Sequence, residues 1–155
     1  MLARIGFAWV CWRSRHGLLG ASPATGAKKL EALQAGVRGE TYAYWYLRRL
    51  GYVFIARNYS PAREKGELDL VGYDGDTLAF VEVRTRAVHP GKPAQPELSI
   101  TREKHEVLLR TARAFLRERH LSDCPLRFDV VAVDLHPGAP PEVRLHRDAL
   151  SPVRA

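Results

Sequence analysis

Three carboxylates within one apolar stretch are the residues of this chain best placed to do chemistry. The stretch GELDLVGYDGDTLAFVEVR, residues 66 to 84, is rich in Val, Leu and Phe and yet contains Glu67, Asp69 and Glu82. Burial of a lone carboxylate is costly, so these acids need compensating partners. A divalent metal ion is one such partner, and an ion pair with Arg84 or Lys65 is the other. From the pattern alone, both remain open.

The same stretch predicts a β-hairpin with its turn at Asp74-Gly75, a favoured turn dipeptide. In that register Asp69 lies opposite Phe80. Side chains alternate along a strand, so Asp69 and Glu82 share one face as diagonal neighbours, about 7 Å apart at the backbone. The same face also carries Glu67 and Arg84.

A third candidate ligand lies in the helix predicted over residues 27 to 50. Glu40 interrupts the apolar stripe of that helix, between Val37 and Tyr44. A carboxylate on a packing face is unusual without a partner. If the helix packs beside the hairpin, Glu40 can reach the two acids there. A small set of oxygen ligands suits Mg²⁺ or Mn²⁺.

The remaining elements supply a scaffold for these acids. Tyr52 to Tyr59 predicts a strand, the hairpin strands fall near 67–73 and 77–86, and a Pro-rich loop covers 87–98. Thr101 is expected to cap a second helix that ends near Arg119, before strands at 126–135 and 142–146. The order α-β-β-β-α-β-β predicts an α/β fold, in which a mixed sheet of about five strands is flanked by helices.

Asp69 followed, after twelve residues, by Glu82-Val83-Arg84 resembles the (P)D-(D/E)xK signature of a nuclease superfamily. More narrowly, the chain is similar to the YraN family of bacterial proteins, related to Holliday-junction-resolvase-like nucleases. The matching residues run from 36 to 133: Gly39-Glu40, Ala43, Tyr46-Leu47, Gly51-Tyr52, Arg57-Asn58, Gly66 to Leu70, Phe80 to Val83, Thr85-Arg86, Thr101, Lys104 and Arg127 to Val131.

The resemblance implies a restriction-endonuclease-like core with a metal held by side chains of Glu40, Asp69 and Glu82 and by the Val83 carbonyl. In that chemistry the metal lowers the pKa of a water and neutralises charge on the phosphate. The basic residue two positions after the glutamate orients the water or stabilises the transition state.

Position 84 departs from the signature, because Arg84 stands where the pattern has Lys. Arginine stays protonated and cannot act as a general base, although it can hold a phosphate oxygen. Lys104, on the inward stripe of the second helix, is a second candidate for this role. The expected catalytic residues are Asp69, Glu82, Arg84 and Lys104.

A basic surface is predicted beside the site. Residues 84 to 119 hold nine Lys or Arg and four Glu, a local charge of +5. Arg102 and Arg113 on the outer side of the second helix, Arg86 next to the site and Lys65 before the hairpin are the expected phosphate contacts. The alternative for the helix residues is an ordinary solvated face. Tyr42, Tyr44, Trp45 and Tyr46 are expected in the core and rim of the first helix, not as base-stacking residues.

The whole chain of 155 residues fits one domain, expected at 28–148, with a flexible or disordered extension at 1–27 and a tail at 149–155. The net charge of +7 indicates an anionic partner. Cys11 and Cys124 lack disulfide or zinc spacing, which favours the cytoplasm, and no apolar run is long enough to span a membrane. The apolar stretch at 5–12 faintly imitates a signal peptide, the alternative to an extension.

Three functions follow as hypotheses. The first is a Mg²⁺- or Mn²⁺-dependent endonuclease that hydrolyses phosphodiester bonds of DNA, especially branched or structured DNA, with RNA not excluded and a homodimer possible. The second is a nucleic-acid-binding module of the same fold that cleaves weakly or not at all because Arg84 replaces the motif Lys. The third is a protein whose acids are simply salt-bridged and whose basic surface binds another protein.

Overall fold

The computed structural model describes residues 23–63, 65–88, 100–121 and 123–149. Two helices and five strands follow one another in the predicted order, which confirms the α/β fold class. The elements are α1 (Pro23–Arg49), β1 (Val53–Tyr59), β2 (Leu68–Asp74), β3 (Thr77–Ala87), α2 (Arg102–Arg119), β4 (Leu126–Leu135) and β5 (Glu142–His146). Within these residues, neither helix has the length and apolarity to cross a bilayer.

The strands form one mixed sheet in the spatial order β1-β2-β3-β4-β5. Strands β1, β2 and β3 pair antiparallel, β3 and β4 pair parallel, and β5 closes the other edge antiparallel to β4. A parallel pair needs a crossover connection, and α2 provides it between β3 and β4. The strand that carries Glu82 therefore lies in the centre of the sheet.

The two faces of the sheet carry separate apolar clusters, as the alternation of β3 dictates. Ala79 and Val81 point to the face that α1 covers, where they join Ala43 and Leu47. Leu78 and Phe80, which alternate with them along β3, point to the other face. There they join an apolar cluster with three residues of α2: Leu108, Ala112 and Phe115. Each helix is thus anchored by its apolar stripe to one side of the strand that bears Glu82.

Helix α1 begins at Pro23, four residues before its predicted start. Proline suits the first turn of a helix because its missing N–H would lack an intrahelical acceptor there. The helix ends at Arg49, and Gly51 adopts a positive φ of 100° just after it, which confirms the predicted stop. The predicted extension at 1–27 is wrong for residues 23–27, which belong to α1, and the predicted loop at 87–98 is wrong for Ala87, which belongs to β3. Residues 1–22, 89–99 and 150–155 lie outside the described residues, so the rest of the extension, of this loop and of the tail at 149–155 remain predictions.

The register of the β2–β3 hairpin differs from the prediction by two residues. Asp74 pairs with Thr77, which leaves Gly75 and Asp76 as the two-residue loop. Gly75 has a positive φ of 61°, as the first loop residue of a type II′ turn requires. The sequence had suggested Asp74-Gly75 as the loop, with Asp69 opposite Phe80, and that pairing is wrong. A shift of two residues keeps the alternation of faces.

Helix α2 has the predicted N-cap. The Thr101 hydroxyl accepts a hydrogen bond from the Lys104 backbone N–H at 3.2 Å. This cap satisfies one of the amide donors that the first turn of a helix leaves without partners. The helix ends where His120 adopts a left-handed conformation. The cap fixes the first turn of α2, and with it the position of Lys104.

Candidate metal centre

Glu82 on the central strand is the most buried of the predicted ligands. Its side chain is 5% exposed, and its Oε1 lies 2.9 Å from Nζ of Lys104 and 3.8 Å from Nε of Arg84. Its Oε2 is buried and has no hydrogen-bond partner among the described residues. A buried carboxylate oxygen without a donor is destabilising, so Oε2 is an acceptor that calls for a cation or another donor.

Asp69 lies where β2 and β3 separate. Their pairing ends at Leu70 and Val81, and the next available amide, the Val83 N–H, donates to Asp69 Oδ2 at 2.7 Å. One further pair in this register would set Asp69 directly across from Glu82. The carboxylate therefore occupies the opening between the two strands, held by a backbone donor instead of by the sheet ladder.

The protonation of Asp69 reports on its surroundings. The pKa of Asp69 is raised to about 7, chiefly by burial and also by the charges of Glu82 and Glu40, while the Val83 N–H and Lys104 act in the opposite direction. Like charges close together disfavour ionisation of each other. Glu40, on a different element, is therefore close enough to act on Asp69, and its role as a metal ligand remains a prediction.

Helix α1 reaches this position because Gly39 allows a very close approach. A Cβ at Gly39 would lie 1.7 Å from Oγ1 of Thr85 on β3, so any side chain there would push the helix away. Glu40 is the next residue along the helix, and Thr85 is three residues beyond Glu82. The contact between Gly39 and Thr85 therefore sets the distance from which Glu40 approaches the other acids.

The residues present fit a divalent cation by the chemistry of their donors. Carboxylates of α1 and β3 both act on Asp69 of β2, one oxygen of Glu82 is buried without a donor among the described residues, and Asp69 is destabilised in its charged form. Hard oxygen ligands of this kind suit Mg²⁺ and Mn²⁺. The Val83 backbone orients Asp69 through its N–H, and the role of its carbonyl as a ligand remains a prediction.

The cations of the site come from two elements. Lys104 reaches Glu82 from α2, and its catalytic role remains a prediction. Arg84, partly exposed, also lies beside Glu82. Of the two compensations that the sequence left open, the ion pair is therefore present at one oxygen of Glu82, and the metal remains a prediction.

The four residues predicted to contact phosphate differ in exposure and in ion-pair partners. Arg86 is held by Asp134, with its Nη2 2.6 Å from Oδ2 and its Nε bonded to Oδ1, so its guanidinium already has a carboxylate partner. Lys65 and Arg113 are exposed. Arg102 is exposed and pairs with Glu106 at 3.2 Å. Arg113 lies nine residues beyond Lys104, roughly 13 Å along the helix axis. Phosphate binding by these residues remains a prediction.

A second cluster of potential ligands was not foreseen. Within the described part of the chain, the one set of three metal-ligating side chains whose donor atoms all lie within 4.8 Å is Asp134, His136 and Glu142. Glu40 and Glu82 both raise the pKa of Asp69 but do not form so compact a set with it. However, Asp134 also receives Arg144 at 2.6 Å, and Arg144 contacts Glu142 at 2.5 Å.

Arg86 and Arg144 both bind the carboxylate of Asp134 in this second cluster. The hydrogen bond from Arg86 lowers the pKa of Asp134, with a further contribution from Arg144. Both carboxylate oxygens of Asp134 thus already have charged donors. We interpret the cluster as an ion-pair network that joins β3, β4 and β5. The alternation of Glu142 and Arg144 along β5 was the sequence signal for it.

A buried polar network at the opposite end of the sheet was also missed. Tyr52 donates to Asp129 Oδ2 at 2.9 Å, and Arg127 bridges Asp129 at 2.8 Å and Asp74 at 2.6 Å. Burial raises the pKa of Tyr52 to about 12, with a contribution from Asp129. The network ties the hairpin turn to β4 and therefore helps to fix the register that positions Asp69 and Glu82. Its sequence signal was the Arg127-Asp129 spacing of two on one strand face.

Comparisons with known proteins agree with this architecture. The profile of the Uncharacterised protein family UPF0102 matches residues 39–133, which contain all four predicted metal ligands. A UPF0102 protein of Koribacter versatilis is 41% identical over 105 residues, 68% of this chain and 71% of its own length. One from Geobacter sulfurreducens is 42% identical over 106 residues, 68% of this chain and 80% of its own length.

A third relative matches a slightly longer segment of this chain. A UPF0102 protein of Solibacter usitatus is 40% identical over 111 residues, 72% of this chain and 81% of its own length. The matched region spans the acids, the crossover helix and the central strands, and the identity is maintained over most of each relative. The chain belongs to the UPF0102 family, also called YraN, within the restriction-endonuclease-like superfamily.

Proposed function

We propose that the protein is a metal-dependent endonuclease that hydrolyses phosphodiester bonds of DNA, with branched or structured DNA as its substrate class. The observation that carries this proposal is the buried Glu82 Oε2, which lacks a hydrogen-bond partner among the described residues and points to a missing donor or cation. Asp69 and Glu40 supply the further negative charge that a divalent ion requires.

The residues of the chain have distinct roles in this proposal. Glu40, Asp69 and Glu82 would hold Mg²⁺ or Mn²⁺, and the Val83 N–H keeps Asp69 oriented. Bound there, a divalent ion supplies a water of lowered pKa and positive charge that neutralises the scissile phosphate. Lys104, whose ammonium lies 2.9 Å from Glu82, can donate to a phosphate oxygen or orient the attacking water.

Arg84 can supply positive charge to the site but cannot transfer a proton. Its guanidinium stays protonated, so it can hold a phosphate oxygen but cannot remove a proton from water. Because Arg84 occupies the motif position, the lysine that lies beside Glu82 is Lys104 of α2. This arrangement supports cleavage in which the lysine comes from α2 instead of from β3.

A second candidate function is a nucleic-acid-binding module with weak cleavage or none. The observation that favours it is the ion pair of Lys104 with Glu82, which satisfies one oxygen of the central ligand without a metal. In this case the net charge of +7 drives binding to phosphates, while Arg84 leaves the site without an effective group for turnover.

Cleavage of labelled DNA and RNA substrates separates the two functions. A panel of single-stranded, duplex, flapped and four-way-junction molecules is incubated with Mg²⁺, with Mn²⁺ and with EDTA. The endonuclease predicts cleavage that depends on the metal and is lost in Glu82→Ala. The matched control is Glu103→Ala, which removes an exposed carboxylate from the first turn of α2. It is expected to cleave like the wild type.

Three results count against the endonuclease. Salt-sensitive binding without cleavage under every condition would favour the binding module. Cleavage that survives both EDTA and Glu82→Ala would place the activity elsewhere, or in a contaminant. Absence of both binding and cleavage would leave the third hypothesis, in which the acids are structural.

A further inference from the structure

The outer face of α1 carries an exposed aromatic pair between two arginines. Trp45 is 62% exposed and Tyr42 is 39% exposed. Arg38, Tyr42, Trp45 and Arg49 follow one another at intervals of four, three and four, so they lie along one line of the helix surface. The prediction that these two rings belong to the core and rim is therefore wrong, whereas Tyr44 and Tyr46 are partly buried.

The rings border a groove between α1 and the edge strand β5. Its volume is about 310 Å³, and its lining residues are Tyr42, Trp45, Tyr46, Arg49, Pro141 and Val143. A cleft of this size falls at the lower end of those that take small ligands. Tyr44 contacts the Trp45 ring edge to face, with centroids 5.2 Å apart, which restrains the indole before any ligand binds.

The charge around the groove is positive. Arg49 is the only charged residue among those that line it. Arg38 lies at the other end of the line, roughly 16 Å away along the helix axis, a span of a few nucleotides of extended strand. Glu31 is the nearest acid on this line and lies two turns beyond Arg38. Glu142 points to the opposite face of the sheet from Val143, by strand alternation.

Aromatic rings flanked by cations are complementary to a single-stranded nucleic acid. The bases of an unpaired strand offer flat faces to aromatic side chains, and its phosphates pair with arginine. An apolar protein segment would match the rings but would leave the arginines without partners. We infer that the line Arg38-Tyr42-Trp45-Arg49 binds an unpaired strand, with a base stacked on Trp45 and phosphates on the arginines.

This inference deepens the proposed function, because it gives the protein a site for the unpaired segment of a structured substrate. It rests on that proposal only in taking nucleic acid as the ligand. It needs no metal, so binding and cleavage can be tested separately.

Trp45 fluorescence is the direct test. The chain has three tryptophans, and substituting Trp9→Phe and Trp12→Phe leaves Trp45 as the single reporter. The full-length protein is titrated in EDTA with a short oligothymidine. Stacking predicts saturable quenching of Trp45 emission. In fluorescence anisotropy with a labelled oligothymidine, Trp45→Ala is expected to weaken binding roughly fivefold to a hundredfold, in line with the loss of one base–aromatic stack.

Matched variants separate this site from general charge attraction. Trp45→Phe keeps a ring and is expected to bind like the wild type. Arg49→Ala is expected to weaken binding several-fold. Lys29→Ala removes one exposed cation from the same helix but on another side, and is expected to change little. Equal losses in Arg49→Ala and Lys29→Ala, or unchanged binding in Trp45→Ala, would overturn the inference.

Three further outcomes are decisive. If Trp45→Ala changes the oligomeric state and leaves oligothymidine binding intact, the groove is a protein interface and the inference fails. Glu82→Ala is expected to abolish cleavage while keeping Trp45 quenching. Quenching without cleavage in any metal would support the binding site at Trp45 and contradict the nuclease. Cleavage without quenching would support the nuclease and contradict the binding site at Trp45.

Discussion

At the scale of single residues, Asp69 shows the conflict between folding and the proposed chemistry. The carboxylate is partly buried and lies within the influence of Glu82 and Glu40, and its pKa is raised to about 7. A raised pKa means that the folded protein binds this proton more tightly than the unfolded chain does. The associated stability is present below the unfolded pKa, near 4, and is lost as the pH rises through about 7.

Replacing Asp69 with Asn should therefore stabilise the metal-free protein at high pH. In EDTA, the gain in unfolding free energy over the wild type is expected to be small near pH 4 and to grow to a few kcal/mol by pH 8, because the charged form is no longer buried. Urea unfolding at a series of pH values measures it. Asp76→Asn, at the exposed hairpin turn, serves as the control and should show no such trend. A gain that is independent of pH would contradict the burial of a charged Asp69.

Lys104 and Arg84 can be tested as a pair. If Lys104 does the work of the motif lysine, Lys104→Met should reduce metal-dependent cleavage on the order of a hundredfold, the typical loss for one electrostatic contact to the transition state. Introducing Arg84→Lys into that variant should restore part of the rate, because it returns a lysine to the motif position. Initial rates on the best substrate measure both. Unchanged cleavage in Lys104→Met would remove Lys104 from the mechanism.

At the scale of elements, the approach of α1 to β3 determines where Glu40 lies. Gly39→Ala would place a methyl group 1.7 Å from Thr85 Oγ1, so the helix or the strand must move. We expect a loss of stability of about 1–3 kcal/mol from overpacking, together with weaker metal binding. Urea unfolding and metal titration measure the two effects.

Two variants make this expectation specific. Gly36→Ala, one turn earlier in α1, has no atom within 4 Å of its added Cβ and should be neutral or stabilising by up to about 1 kcal/mol. Thr85→Gly removes the side chain that the methyl group would strike, so it should restore metal binding to Gly39→Ala. If Gly39→Ala binds metal like the wild type, the close contact does not position Glu40.

The elements themselves were predictable from the sequence, and their register was not. The periodicity of Leu108, Ala112 and Phe115 and the Thr101 cap were sufficient to place α2. The hairpin has two possible turns, Asp74-Gly75 and Gly75-Asp76, and local preference favours the first. The long-range network through Tyr52, Arg127 and Asp129 accompanies the second, and no local pattern reports on such contacts.

Only the part of the site that follows from strand and helix periodicity was predictable from the sequence. Alternation placed Asp69 and Glu82 together, and the helical stripe brought in Glu40 and Lys104. The partners of Arg86 were not visible, because Asp134 lies 48 residues away along the chain. The exposure of Trp45 was not visible either, since its position next to partly buried Tyr44 and Tyr46 is compatible with a rim residue.

At the scale of the whole molecule, the net charge of +7 predicts nucleic-acid binding that weakens steeply with salt. Each arginine that contacts a phosphate contributes about one unit to the slope of log affinity against log salt concentration. Arg113→Ala, on the exposed side of α2, should reduce that slope by about one. Arg86→Ala should instead lower the stability of the fold, because it removes a partner of buried Asp134. Anisotropy titrations at several salt concentrations and urea unfolding compare the two.

The opposite pattern would relocate the binding face. A slope that falls in Arg86→Ala and not in Arg113→Ala would show that Arg86 exchanges Asp134 for phosphate when DNA binds. A slope near zero in the wild type would contradict phosphate-driven binding altogether and would favour a protein partner for the basic surface.

Titration of Mn²⁺ into the metal-free protein, followed by calorimetry, tests most directly whether Glu40, Asp69 and Glu82 form a metal centre. The wild type is expected to show saturable binding, and Glu82→Gln should weaken it at least about tenfold. Glu142→Gln, in the ion-pair network beside Asp134, should bind like the wild type. Absence of saturable binding, or a loss in Glu142→Gln with none in Glu82→Gln, would contradict the proposed centre.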